Sequence, residues 1–344
     1  MKVLIYSDPH FCTYSSIVRS RGEKFSLRLE NLIKSISWAE KQASTNNCDA
    51  VICLGDFFDT STLTAEELTA LQEITWANCK HYMLVGNHCI SRGDLSFNAL
   101  NSLGMIDIMN IIDQTYTIEL YNTDLIFIPY QLKDQRKKFV DYLPKNNKKK
   151  IIFSHNDIAG INYGGFLSTN GFDINEISAN CNLFINGHLH NGGYWLDENQ
   201  VAINMGNLTG QNFSEDAAKY KHGVAILDTE TLELDFIENP YAFNFYKFEL
   251  NSEDDLHILY NLEPNAVVSI KCKEGLKKQI QDILNNRSNI IESRIITIPE
   301  TLDVKDEDKK IITTVDHIKQ FKDFILDELG CSELVMEELA EVCK

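Results

Sequence analysis

Five short apolar runs in this chain end alike, and that repetition restricts what the chain can fold into. Residues 2–6 run into Asp8-Pro9-His10, residues 49–54 into Gly55-Asp56, and residues 82–85 into Gly86-Asn87-His88. Residues 151–153 run into Ser154-His155, and residues 183–185 into Gly187-His188-Leu189-His190. A short continuous apolar run bounded by polar residues and glycine suits a strand covered on both faces, as in a parallel sheet. Open α/β sheets keep their ligands beyond the carboxyl ends of such strands. One ending of this kind is an ordinary loop cap. Five of them, all in Asp, Asn or His and none with a CxxC pair, point to a common site for hard or borderline divalent ions.

The order of elements favours one large domain with appendages. With 344 residues the chain can bury a large core and still carry a smaller module. Residues 27–41 read as an amphipathic helix with Leu29, Leu32, Ile33, Ile36 and Ala39 on one face. Thr64 followed by Glu67 is a capping box, and the helix it starts is expected to run to about Cys79. Residues 115–130 read as paired strands with a turn near Asn122-Thr123-Asp124, and residues 194–203 and 223–237 alternate as strands again. Residues 1–240 therefore predict an α/β fold, two sheets face to face flanked by helices. Residues 245–300 give strand, strand, helix, strand, a small α+β capping module carrying Lys271, Lys273, Lys277, Lys278, Arg287 and Arg294. A charged linker at 301–312 leads to apolar stripes at 313–344, read as C-terminal helices that either pack on the parent domain or dock a partner.

Composition excludes some functions. No apolar stretch is long enough to span a membrane, and the first residues do not form a secretory signal. Nine cysteines without metal-finger spacing suggest reduced thiols and a cytoplasmic setting. A net charge of −18 argues against holding nucleic acid by bulk electrostatics. The tempting basic run Lys148-Lys149-Lys150 precedes the strand that delivers His155, so it is expected at the far end from the site, as a solvated face.

The side chains imply a chemistry. Two divalent ions about 3.5–4 Å apart, bridged by one carboxylate, activate a water for in-line attack at phosphorus. Asp56 is the expected bridge. Asp8, His10 and His190 would complete one ion, and Asn87, His155 and His188 the other, since residues two apart on an extended segment point the same way. His88 is left at the rim, suited to protonating the leaving oxygen.

Asp8-x-His10, Gly55-Asp56-x-x-Asp59, Gly86-Asn87-His88, His155 and Gly187-His188-x-His190 resemble the calcineurin-like metallophosphoesterase superfamily over about the first 210 residues. The Met205-Gly206-Asn207 turn, the module after 245 and the terminal segment look like the SbcD-type DNA repair nucleases, and the length is similar to the small subunit of phage recombination endonucleases. That resemblance implies a nuclease using manganese, with magnesium, iron and zinc as the other candidates. It also implies a homodimer and an SbcC-type coiled-coil ABC ATPase partner bound through the C-terminal helices. Two residues depart from the pattern. The superfamily usually places Asp or Glu after Gly-Asn-His to orient the histidine; here Cys89 follows, and Asp94 is the candidate substitute. Asp59 stands where some of these nucleases have histidine and is read as a loop residue capping the next turn, without a ligand role.

Three functions follow. A DNA nuclease predicts a groove bordered by the basic 271–294 region, with Lys271, Lys273, Lys277 and Lys278 as DNA contacts. A phosphomonoesterase or small-molecule phosphodiesterase would need neither module nor terminal helices. A non-catalytic scaffold would be expected to have lost ligands.

Overall fold

The apolar runs form the middles of two six-stranded sheets. The first has the order Leu234–Glu238, Gly223–Asp228, Lys2–Tyr6, Ala50–Cys53, Lys80–Leu84, Met109–Ile112. Its last four strands are parallel. The second has the order Gly193–Tyr194, Ala202–Asn204, Leu183–Asn186, Lys149–Ser154, Thr123–Ile128, Tyr116–Glu119, with the inner four parallel and both edges antiparallel. The computed structural model describes residues 1–163, 166–194 and 202–298. The linker and helices expected at 301–344, and the middle of the strand expected at 194–203, lie outside the described residues.

Strand alternation explains why the runs are apolar throughout. Val3, Ile5 and Ile52 face inward and meet Leu125, Phe127, Ile151, Phe153 and Ile185 of the other sheet. Leu4, Tyr6, Val51 and Cys53 face outward onto Leu29, Leu32, Ile36 and Ala39 of the helix Leu27–Thr45. Across the second sheet, Ile126, Ile152 and Phe184 are covered by Phe139, Phe172 and Ile177. With both faces buried, each strand end is fixed in depth and direction, and the loops beyond inherit that precision.

Some boundaries differ from those expected. The capping box at Thr64 is present, with Thr64 N–H donating to Glu67 at 2.7 Å and Glu67 N–H to Thr64 Oγ1 at 3.2 Å. The helix it starts, Ala65–Leu71, is shorter than predicted. Beyond it the chain tightens into i→i+3 bonds, Glu73 to Ala70 and Ile74 to Leu71. The buried Glu40 then captures the Ala77 N–H at 3.1 Å and His81 Nε2 at 2.8 Å, so the segment is drawn into the core instead of continuing as helix. The 116–128 hairpin turns at Leu120–Asn122, two residues earlier than expected, because Thr123 is already paired.

Residues 244–298 form a parallel sheet of Asn244–Leu250, Ala266–Lys273 and Ile290–Ile298. The helix Lys277–Asn285 covers one face through Ile280 and Leu284 against Val268, Ile270 and Cys272. On the other face Phe245 and Val267 pack with Val18, Phe243 and Phe213 of the larger domain. Among the described residues no helix is long and apolar enough to cross a membrane.

Candidate metal centre

The five strand ends converge. Asp8, His10 and His190 bring one ligand atom each within 4.8 Å of one another; so do Asp56, His155 and His188, and His10, Asp56 and His88. Asn87 joins through Oδ1, 3.3 Å from His155 Nε2, and the same nitrogen lies 3.0 Å from Asp56 Oδ2. Asp8, His10, Asp56 and His155 are almost wholly buried, whereas His88 stands at the rim with its side chain 45% exposed.

The backbone pays a conformational cost to reach this arrangement. Asp8, His10, Asp56 and His188 all adopt left-handed φ angles, 50°, 48°, 43° and 73°, a region costing on the order of 1–3 kcal/mol at each non-glycine residue. The loops are cross-tied to hold it: His10 N–H donates to Asp56 O at 3.0 Å, His88 N–H to Asp56 Oδ1 at 2.9 Å, and His188 N–H to Asp8 Oδ2 at 3.0 Å. The glycines of the sequence pattern have a steric origin here. A Cβ at Gly86 would sit 2.2 Å from Asp56 Oδ1, and one at Gly55 would sit 2.2 Å from His155 Nδ1.

Behind three of the histidines stands a carboxylate. His10 Nδ1 is 2.9 Å from Asp59 Oδ1, His188 Nε2 is 3.0 Å from Asp157 Oδ1, and His190 Nδ1 is 2.9 Å from Glu215 Oε1. Such partners fix the tautomer and ring orientation of a ligating histidine. None of the three was picked out as a partner in the sequence. Asp157 follows His155 by two residues, a spacing that an extended segment would have flagged. Glu215 sits in a loop with no motif.

Asp59 and Asp94 need correction. Asp59 is not a turn cap: besides holding His10, it accepts from His88 Nδ1 through its backbone oxygen at 3.0 Å, with its carboxylate 3.8 Å away. Asp94 does not reach His88; it is exposed and accepts from Ser96 N–H and Oγ at 2.9 and 2.7 Å. Cys89 is buried and turned to Phe58 O at 3.5 Å, so Asp59 occupies the place near His88 that the sequence left open.

Electrostatics make the cluster fit for cations. Burial alone would raise the Asp56 and Asp8 carboxyls, yet the facing histidines, His155 foremost, hold both below the usual range. Burial opposes charge on His10 too, but the hydrogen bonds it donates to Asp59 and Asp8 and the charge of Asp56 raise it to about 10. His155 is raised against its own burial by Asp56 and Asp8. His10 Nε2 and His190 Nε2 face each other at 3.2 Å while both Nδ1 atoms are committed to carboxylates. Asp8 Oδ1 and His188 Nδ1 are buried without a hydrogen-bond partner. Imidazole nitrogens crowded together and buried ligand atoms left without a partner, all beside carboxylates, are what a divalent ion resolves. The residues present therefore fit a dinuclear centre.

The four lysines expected to meet DNA do not form one patch. Lys271 and Lys273 alternate with the buried Ile270 and Cys272, so they lie on the sheet face opposite the helix, in the part left open beyond Phe245 and Val267, as does Arg294, whose register partner is Ser269. Lys277 and Lys278 begin the helix on the opposite face, and Lys277 pairs with Glu274 at 3.7 Å. Lys148 is tied to Glu119 at 3.1 Å and Asp124 at 3.5 Å, at the strand end remote from the centre.

A sandwich with this loop cluster defines a phosphoesterase, and residues 1–192 match the sequence profile of the calcineurin-like phosphoesterases. The chain belongs to that family and has its metallophosphoesterase fold. Similar solved structures include an archaeal phosphodiesterase, 17% identical over 69% of this chain and 99% of that one with a TM-score of 0.38. They also include a dimetal phosphatase from Danio rerio, 15% identical over 66% of this chain and 91% of that one with a TM-score of 0.41. Among curated proteins none matches.

Proposed function

We propose that this phosphoesterase is a DNA nuclease that hydrolyses phosphodiester bonds with a pair of divalent ions, manganese in the first place. The observation that carries the metal chemistry is the position of Asp56, whose carboxylate belongs to two donor groups at once, with His155 and His188 on one side and His10 and His88 on the other. Ions held there would supply an activated water and neutralise charge on the phosphoryl oxygens. The chain's own residues do the rest. Asp8, His10 and His190, with Asn87, His155 and His188, are the ligands; Asp59, Asp157 and Glu215 keep the imidazoles aimed; His88, anchored through Nδ1, offers Nε2 to the leaving oxygen. The mixed imidazole, amide and carboxylate donors suit manganese, with magnesium as the alternative.

Support for DNA as substrate comes from the appended module, whose open face carries Lys271, Lys273 and Arg294, and from the resemblance to SbcD-type nucleases. On the same ground the protein acts as a homodimer with an SbcC-type ABC ATPase docked through residues 313–344. A small phosphodiester substrate is the second reading, favoured by the net charge of −18. The deciding experiment is manganese-dependent hydrolysis of linear duplex and single-stranded DNA beside bis-nitrophenyl phosphate, for the wild type and His88→Ala. DNA cleavage that falls about 10²–10⁴-fold in the variant supports the nuclease and the acid role of His88. Turnover of the small diester with intact DNA, even with the ATPase added, selects the second reading.

A further inference from the structure

Two clefts of the molecule, one beside residues 93–96 and 113–115 and one bordering the small module, differ in charge. The larger, about 790 Å³, presents Asp94, Asp113 and Asp141 against Lys137 and is ill suited to a polyanion. The smaller, about 270 Å³, lies between the loop carrying Ser16 and Arg19, the ring of Phe213, and the sheet residues Val267, Glu292 and Arg294. Its volume falls just below the range of ligand-sized sites, roughly 300–1,000 Å³, which leaves room for one nucleotide unit of a single strand and not for a duplex.

The two arginines are anchored in the same manner. Arg19 donates through Nε to Ser16 O at 2.9 Å. Arg294 donates through Nε to Ser269 Oγ at 2.8 Å, with its guanidinium 4.6 Å from the Phe213 ring centroid. Among the described residues neither forms an ion pair, in a chain with 50 acidic and 32 basic side chains. Glu292, the carboxylate on the wall, accepts from Ser20 Oγ at 3.3 Å. Each arginine thus keeps the Nη fork that matches a phosphate bidentately, and holds it in a fixed direction. Phe213 adds an apolar floor for sugar or base. The chain links the cleft to the centre: Phe213 lies two residues before Glu215, which holds His190.

We propose that this cleft binds the backbone phosphate of a single DNA strand between Arg19 and Arg294. The proposal rests on the nuclease reading above and names where the strand runs beside the centre.

The test is fluorescence anisotropy of the full chain with a fluorescein-labelled oligo-dT in EDTA, where nothing is cut, across a salt series. Arg19→Ala with Arg294→Ala should weaken binding at least about tenfold and reduce the slope of log affinity against log salt by about 0.7, as expected for one lost single-strand phosphate contact. Arg19→Lys with Arg294→Lys should keep the slope while losing affinity, because charge remains and the fork is gone. Arg21→Ala, whose side chain faces Glu66 at 3.9 Å, should match the wild type. A double alanine variant with native far-UV dichroism and wild-type affinity and slope overturns the proposal, as does a wild type that does not bind the strand. If the strand binds through these arginines but is not cut in manganese, the nuclease reading fails and the cleft stands. If DNA is cut with the same KM by wild type and double alanine variant, the cleft fails and the nuclease reading stands.

Discussion

The metal centre and the open face of the small module are held by opposite means. At the centre, four residues adopt left-handed backbone and the buried side chains are tied to loops from other strands. On the module, Lys247, Lys271 and Lys273 project from regular strands into solvent. The first region stores strain in a fixed constellation, as reaction chemistry requires. The second supplies charge on a regular frame, as substrate positioning requires. The contrast teaches that the reaction class can be read from the centre alone, whereas the substrate depends on a surface with little internal constraint.

Breaking the centre should give the largest effect. Asp56→Asn removes the carboxylate common to two donor groups, and metal-dependent hydrolysis is expected to fall on the order of 10⁴-fold or more, with loss of bound metal by mass spectrometry. Retained metal and activity would show that Asp56 is peripheral. A smaller effect should come from the carboxylates behind the histidines: Glu215→Gln and Asp157→Asn are each expected to weaken metal affinity about 10–100-fold in titration calorimetry. Wild-type affinity in both variants would reduce these contacts to packing.

Proton linkage sharpens the same point. His10 is raised to about 10 in the metal-free site, so it carries a proton at pH 7–8 that an incoming ion must displace. Metal binding should therefore release protons and strengthen as pH rises toward that value. Calorimetry in two buffers of different ionisation heat should give different apparent enthalpies; identical enthalpies would contradict it. The smallest effect belongs to the module. Lys271→Ala with Lys273→Ala should lower the salt slope of single-strand DNA binding by about 1.4, one phosphate contact per lysine, and Lys277→Ala with Lys278→Ala should leave it unchanged. Equal loss in both pairs would mean that the two faces act together.

Much of this was legible in the sequence because strand ends are a one-dimensional signal. Asp8, His10, Asp56, Asn87, His88, His155, His188 and His190 each follow an apolar run, and the structure brings them together. The supporting carboxylates were not legible for a physical reason: Asp59 meets His10 from 49 residues away and Glu215 meets His190 from 25, so their roles depend on loop closure. The helix after Thr64 was overextended because apolar spacing continues through Ile74 and Ala77, while the tightening that ends it depends on Glu40 from another element. Strand alternation, carried through Lys273 and stopped at the helix, separates the four lysines; residue type alone had merged them.

The most direct test of the account is the metal content of the manganese-loaded protein, read together with its electron paramagnetic resonance spectrum. A pair of Mn²⁺ ions per chain with an exchange-coupled signal is the predicted result, since ions bridged by one carboxylate lie about 3.5–4 Å apart. A single ion with an isolated six-line signal would contradict the dinuclear centre and the hydrolysis built on it.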